Sequence, residues 1–211
     1  MLLVALGAVT LLKQDKPVGA GAVLALGLLK FHLFLLWPVA MLLTRRWPML
    51  KGFSIAGAGL AAASLALGGF DGARAYVALL RNKDLDRLSP TPEFMANLQG
   101  LTASLFDGST LAWGLLTAAV LAIYLWVARN APLAQWWPLT ALAGLLVVPH
   151  VYGYDASLLL PAILFAMFEC KDKATRIAAT LLSTPIPWLM TLADKPWSVA
   201  PSLMMLIVFA L

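Results

Sequence analysis

Long stretches without a single charged residue dominate this sequence. Three of them, 52–70, 109–128 and 130–149, are each about 20 residues long and mostly apolar. A helix of roughly 20 apolar residues is long enough to cross the hydrocarbon core of a bilayer. Only 12% of the chain is charged, whereas soluble domains carry about 25%. So few charges cannot cover a water-facing surface, which excludes a soluble globular domain.

Shorter apolar runs fill most of the remaining chain. Together the runs predict an all-α, polytopic transmembrane helical bundle of seven or eight membrane segments, forming one domain over 1–211. The first residues have no basic region ahead of the apolar stretch and do not fit a signal peptide. Both ends are apolar, so we expect a fragment that lacks the N-terminal part of a longer protein. The shorter runs are 1–12, 17–29, 33–44, 156–168, 177–193 and 196–211.

The charged residues separate into two groups. If the loops at 13–16, 44–51, 129 and 169–176 face the cytoplasm, that side carries nine basic and three acidic residues, and the other side six basic and seven acidic. This asymmetry follows the positive-inside rule, which accounts for the net charge of +5 and removes nucleic acid as a partner. Cys170, the single cysteine, is then expected to be a free thiol in a reducing compartment.

The segment 17–44 has two possible paths. A hairpin of two short helices places Lys30 and His32 at the outer face. A single tilted crossing instead places Lys30 at mid-membrane, at a cost of about 2.5–3.5 kcal/mol. The charge therefore favours the hairpin.

The segment 70–108 is the longest polar stretch and is predicted to be an extracytoplasmic loop. It carries nine of the 25 charged residues and a Ser-Pro-Thr-Pro cluster at 89–92. Within it, 72–88 has the pattern of an amphipathic helix that lies along the membrane surface. Loops of this length in compact folds are usually functional.

Other residue patterns have structural explanations. Small residues around Gly57 and Gly59 predict close helix packing, and Pro185 and Pro187 predict a kink in the crossing 177–193. Tryptophans near the predicted interfaces are explained by an aromatic belt. The belt candidates are Trp37, Trp47, Trp136, Trp137 and Trp197.

Three polar clusters converge on the outer face in this topology: 30–32, 97–100 and 149–155. Ionisable groups at such positions are candidates for function because their burial is costly. A lysine binds phosphate as a point charge, a histidine donates or carries a proton near neutral pH, and an aspartate accepts from sugar hydroxyls or orients a histidine. The predicted substrate-binding residues are Lys30, His32, Asn97, His150, Tyr152, Tyr154 and Asp155.

Each of these residues also has a structural interpretation. His150 and Asp155 could lie in headgroup water, with Asp155 capping the following helix, and Lys30 could extend its ammonium group to the interface. The sequence contains no phosphate-binding glycine loop, no zinc-ligand spacing and no nucleophile elbow.

The order of the motifs in 17–168 resembles the C-terminal half of glycosyltransferase family 87, within the GT-C superfamily of membrane enzymes. The similarity consists of Lys30-x-His32, Arg45-Arg46-Trp47, a Gly/Ala helix, Asn97-Leu98-Gln99-Gly100-Leu101, Pro149-His150 and Tyr154-Asp155. The lysine of the family is usually followed by proline, where this chain has Phe31.

The resemblance implies a multi-pass hexosyltransferase of the bacterial inner membrane. Such an enzyme transfers a sugar, for example mannose, from a polyprenyl-phosphate donor to a lipid or glycan acceptor on the extracytoplasmic face, without a metal or other cofactor. It also implies that His150 contacts the donor phosphate, assisted by Lys30 and His32. The general base is expected to be an Asp in an N-terminal outer loop, which no residue of this chain matches, so we expect this segment alone to be inactive.

Two other classes of protein stay open. A secondary transporter or flippase of lipid-linked or anionic substrates predicts inverted repeats and ionisable groups at mid-membrane, and the sequence shows neither clearly. A membrane scaffold predicts no accessible cavity lined by Lys30 and His150.

Overall fold

The computed structural model of the chain describes residues 2–80, 91–151, 153–193 and 197–210. These residues form helices and turns without a strand, which confirms the all-α class. The α-helices are α1 (Leu2–Lys13), α2 (Pro17–Ala25), α3 (Phe31–Phe34), α4 (Leu36–Leu43), α5 (Trp47–Leu80), α6 (Leu98–Leu105), α7 (Thr110–Ala128), α8 (Leu133–Val147), α9 (Leu160–Glu169), α10 (Lys173–Leu182), α11 (Ile186–Met190) and α12 (Ala200–Phe209). Short 3-10 helices occupy Leu26–Lys30, Pro92–Phe94, Gly153–Leu159 and Trp197–Val199.

Three helical stretches in the described part of the chain are long and apolar enough to cross a membrane. Further apolar helices are shorter than a full crossing and could contribute only as broken or partial segments. A membrane protein is therefore supported, whereas the total of seven or eight segments stays a prediction. The three long stretches are Pro17–Phe34, Trp47–Leu79 and Thr110–Ala128, and the shorter ones are Leu3–Lys13, Leu133–Val147 and Trp197–Phe209.

The predicted crossing 177–193 is not one kinked helix. The helix α10 ends at Leu182, and α11 begins only at Ile186. Pro185 has no amide hydrogen to donate and disfavours a helical backbone at the preceding residue. The helix is therefore interrupted between Leu182 and Ile186.

The chain reverses direction at Lys30, whose backbone leaves the helical region (φ −121°, ψ 63°). After this residue it runs antiparallel to α8, as three successive contacts show. The contacts are Leu33 with Gly144, Trp37 with Trp137, and Arg46 with Ala131. Lys30 thus lies at one end of the bundle and Arg46 at the other. The reversal agrees with a hairpin over 17–44 and not with a single crossing, so the stretch Pro17–Phe34 has the length and composition of a crossing but is not one continuous α-helix.

Glycines allow α2 and α5 to pack backbone against backbone. A Cβ atom at Gly21 would overlap a carbonyl of α5, and one at Gly52 would overlap a carbonyl of α2. The predicted small-residue packing is therefore real but lies earlier in α5 than expected. Gly57 meets only the side chain of Leu28, and a Cβ at Gly59 would have no neighbour within 4 Å.

Three tryptophans assigned to an aromatic belt lie in the core instead. Trp37, Trp136 and Trp137 are no more than 4% exposed. The ring of Trp37 lies 5.7 Å from that of Trp136 and 4.4 Å from that of Trp137. Burying such large rings between α4 and α8 stabilises the packing more than interface exposure does. Trp47 and Trp197 remain exposed.

The helix α5 changes direction at Gly69, where φ is 63°. This left-handed backbone favours glycine because a side chain would be strained there. The part of α5 after Gly69 coincides with the start of the predicted amphipathic helix 72–88 and is exposed. Residues 81–90 lie outside the described residues, so the loop 70–108 stays a prediction.

Candidate functional site

Lys30 and Asp155 form an ion pair at one end of the bundle. The Nζ atom of Lys30 lies 2.6 Å from Oδ1 of Asp155. The Asp155 side chain is 2% exposed and that of Lys30 is 32% exposed. A buried carboxylate is strongly destabilising without a partner, and a lysine can supply the partner while keeping part of its ammonium group accessible. The pair joins the turn after α2 to the segment before α9.

Local structure explains how Lys30 reaches this position. It ends the 3-10 helix Leu26–Lys30, and the following α3 folds back so that the Phe34 ring occupies the space where a side chain on Gly27 would be. A residue larger than glycine at position 27 would force the Phe34 ring to move. Asp155 lies in the 3-10 helix Gly153–Leu159, which leads directly into α9.

Both histidines of the chain lie near this pair. The charges of Asp155, Lys30 and His150 all act on the imidazole of His32, so each of these three groups lies within electrostatic reach of His32. The His32 ring packs edge-on against Phe31, with 5.7 Å between ring centroids. Its Nε2 atom is buried and has no hydrogen-bond partner among the described residues. Buried polar atoms are usually paired, so this nitrogen is an exception among the described residues.

Asn97, which is predicted to bind substrate, makes its contacts within the protein in this structure. It is fully buried, and its side chain is occupied at both polar atoms. Oδ1 accepts from the backbone of Gly100 at 2.9 Å, and Nδ2 donates to the carbonyl of Val148 at 2.7 Å. Asn97 thus caps α6 and holds the segment just before His150. The structure gives it a positioning role in this arrangement.

The remaining predicted site residues are only partly described. Tyr152 lies outside the described residues, and Tyr154 is described as part of the short helix Gly153–Leu159. Gln99 was not among the predicted site residues. Its Oε1 atom is buried and has no hydrogen-bond partner among the described residues. The one sequence feature that pointed to Gln99 was its place in the polar stretch 97–100.

The cluster offers few ligands for a metal ion. No group of three or more His, Cys, Asp or Glu residues in the described part of the chain could hold one. Two cavities of about 680 and 580 Å³ are lined by other residues, on the faces of α9 and α10. What the cluster can do chemically is bind an anion through the Lys30 ammonium group and accept or donate protons through two imidazoles.

Comparison with known protein families gives one match. The sequence model of glycosyltransferase family 87 matches residues 1–161 of the 211, a stretch that includes the ion pair, both histidines and Asn97. This match confirms the resemblance to the family that was expected over 17–168. The helices α10 to α12 lie outside the matched residues. Neither a curated protein nor a solved structure matches the chain.

Proposed function

Because this chain belongs to glycosyltransferase family 87, we propose that its Lys30 end binds the phosphate of a polyprenyl-phosphate sugar donor for hexosyl transfer. The family and the long apolar helices together support a membrane glycosyltransferase. The observation that carries the finer proposal is the Lys30–Asp155 ion pair, with His32 in electrostatic reach of both charges and of His150.

Lys30 is the group that stabilises the leaving phosphate. In hexosyl transfer from such a donor, the bond from the sugar to the phosphate oxygen breaks and negative charge develops on that oxygen. A preorganised cation at this position lowers the barrier. The ammonium group has three donors, so Lys30 can bind a phosphate oxygen while one donor stays with Asp155. The buried carboxylate then holds the ammonium group in place.

The two histidines complete the anion site. His32 in the tautomer that carries its proton on Nε2 can donate to a phosphate oxygen, which satisfies the buried nitrogen. His150 follows the segment that Asn97 fixes and is within electrostatic reach of His32. Tyr152 and Tyr154 stay predicted sugar contacts from the sequence alone. The acceptor is a lipid or glycan hydroxyl, and no residue of this chain is assigned as the base that deprotonates it.

Transfer assays on the full-length protein test the proposal. Lys30→Met and His150→Ala are expected to lower kcat/KM for sugar transfer from a polyprenyl-phosphate hexose by about a hundredfold, the effect of losing one donor to a developing charge. Lys51→Met removes an exposed cation from the opposite end and should leave transfer unchanged. Unchanged rates in both site variants would reject the assignment. Movement of labelled donor across a vesicle membrane without transfer would favour the flippase alternative.

The proposed orientation places the Lys30 end on the extracytoplasmic face of the bacterial inner membrane. With Cys170 replaced by serine, a cysteine at the exposed Leu29 should react with an impermeant thiol reagent on intact cells. A cysteine at Lys51 should react only after the membrane is opened. The reverse pattern would contradict the orientation and, with it, the donor site.

A further inference from the structure

The helix α10 has one buried face and one open face. Thr175, Ala178, Ala179 and Leu182 are buried. The open face carries the cations Lys173 and Arg176 in its first turn, followed by Ile177 and Leu181, which are 50% and 38% exposed. A short helix with this distribution lies at a membrane boundary, with its cations toward the headgroups and its apolar residues toward the acyl chains.

A basic cavity of about 680 Å³ lies between α10 and the end of α9. No acidic residue is among the residues described as lining it. The neighbouring Asp172 uses its carboxylate to cap α10, accepting from the backbone and the hydroxyl of Thr175 at 2.8 Å each. The lining of the cavity therefore carries three positive charges and no negative one, although Asp172 and Glu169 lie next to it in the chain. Its cations are Lys171, Lys173 and Arg176.

An apolar groove of about 580 Å³ runs along the other side of α9, against α1 and α8. Its lining extends from Leu160 to Glu169, a distance of about 15 Å along the helix axis. Lys13 and Glu169 are the two charged residues that line it, and their charges cancel. Phe168, which is 74% exposed, lines both this groove and the basic cavity.

We propose that the two cavities form one binding site for an anionic glycerophospholipid. Lys171, Lys173 and Arg176 hold the headgroup phosphate, and an acyl chain passes Phe168 into the groove along α9. Basic pockets between helices at the membrane boundary recognise anionic headgroups in this way. The site lies at the opposite end from Lys30 and does not depend on the proposed glycosyl transfer.

The exposed apolar residues favour a lipid over a free anion. Inorganic phosphate could neutralise the three cations but would leave Phe168 and Ile177 uncovered. A phospholipid covers both, because its headgroup and acyl chain are joined at the depth where the basic cavity meets the groove. Near an anionic surface each cation contributes about fivefold to affinity, so the three together select anionic over zwitterionic lipid.

The headgroup part is tested by counting lipids retained by the purified chain in native mass spectrometry. The unmodified chain should retain dioleoyl phosphatidylglycerol at least about tenfold more than dioleoyl phosphatidylcholine. A variant with Lys171, Lys173 and Arg176 changed to Gln should lose this preference. A control with the exposed Arg45, Lys51 and Arg129 changed to Gln loses the same charge from the same end and should keep it. Equal retention of both lipids by the unmodified chain, or equal loss in both variants, would overturn the proposal.

The groove is tested separately from the cations. Leu164→Trp fills the groove at a residue that is 44% exposed, and Leu164→Gln adds a polar group there with little change in volume. Both should reduce retention of phosphatidylglycerol while the basic cavity stays intact. Undiminished retention of phosphatidylglycerol in both variants would show that the acyl chain does not bind in the groove. If inorganic phosphate alone raises the melting temperature as much as phosphatidylglycerol does, the site is for a free anion and the lipid assignment fails.

Discussion

The ammonium group of Lys30 lies 2.6 Å from a carboxylate oxygen of Asp155, and the two side chains differ sharply in exposure. Asp155 is almost wholly buried, whereas a third of Lys30 is accessible. The pair is therefore asymmetric: the aspartate depends on the lysine for stability, and the lysine keeps a surface for a ligand.

This asymmetry predicts unequal effects of breaking the pair. Lys30→Met leaves a buried carboxylate without this partner and should lower the free energy of unfolding by about 3 kcal/mol. Asp155→Leu leaves a lysine that can turn to solvent and should cost less. The double variant should be more stable than the sum of the single effects predicts, because the two substitutions remove the same interaction. Denaturation of the three variants in detergent measures this, and strictly additive effects would contradict the pairing.

Asn97 is expected to matter for stability because it is buried and bonded at both polar atoms. Asn97→Ala removes the cap of α6 and leaves the carbonyl of Val148 without its donor, so unfolding should become easier by about 2 kcal/mol. Ser109→Ala removes a weaker cap from α7, a 3.3 Å bond to the backbone of Ala112, and should cost less than about 1 kcal/mol. Equal losses in the two variants would mean that the Val148 bond contributes nothing.

The contact of α2 with α5 predicts opposite effects for two glycines of one helix. Gly52→Ala forces a side chain into a backbone carbonyl of α2 and should destabilise the protein by about 2 kcal/mol. Gly59→Ala meets nothing and should be neutral or stabilising by up to about 1 kcal/mol through helix propensity. Melting temperatures of the two variants decide the point, and a tolerated Gly52→Ala would place the helix crossing elsewhere.

Cys170 should react slowly with alkylating reagents at neutral pH. Partial burial raises the pKa of its thiol, and the nearby carboxylates of Asp172 and Glu169 raise it further. Only the thiolate reacts, so the alkylation rate should rise with pH around a midpoint above that of an exposed cysteine at position 51. Asp172→Asn should lower the midpoint only part of the way toward that of the exposed cysteine, because burial is the larger cause of the raised pKa of Cys170. A midpoint equal to that of the exposed cysteine would contradict this environment.

Much of the fold follows from where charges are scarce. Uncharged runs of helical length have few alternatives to helices in lipid, and the cost of a lysine at mid-membrane favoured the reversal that the structure shows at Lys30. The same reasoning brought Lys30, His32, His150 and Asp155 to one end of the bundle, because ionisable groups must collect where water is available.

The details of packing could not be predicted in the same way. When nearly every residue is apolar, periodicity does not distinguish the buried face of a helix from its lipid face. The burial of Trp37 and Trp136 and the crossing point at Gly52 depend on how helices meet in space. The bond that the Asn97 side chain donates to the Val148 carbonyl depends on a long-range contact that no local pattern indicates.

Equilibrium binding of a radiolabelled polyprenyl-phosphate hexose to the full-length protein in nanodiscs tests the central claim most directly. Lys30→Met and His150→Ala should each weaken donor binding at least about tenfold, the loss expected when a charged or hydrogen-bonding partner of a phosphate is removed. Lys51→Met should bind the donor as the unmodified protein does. Undiminished affinity in both site variants would show that the donor phosphate lies elsewhere.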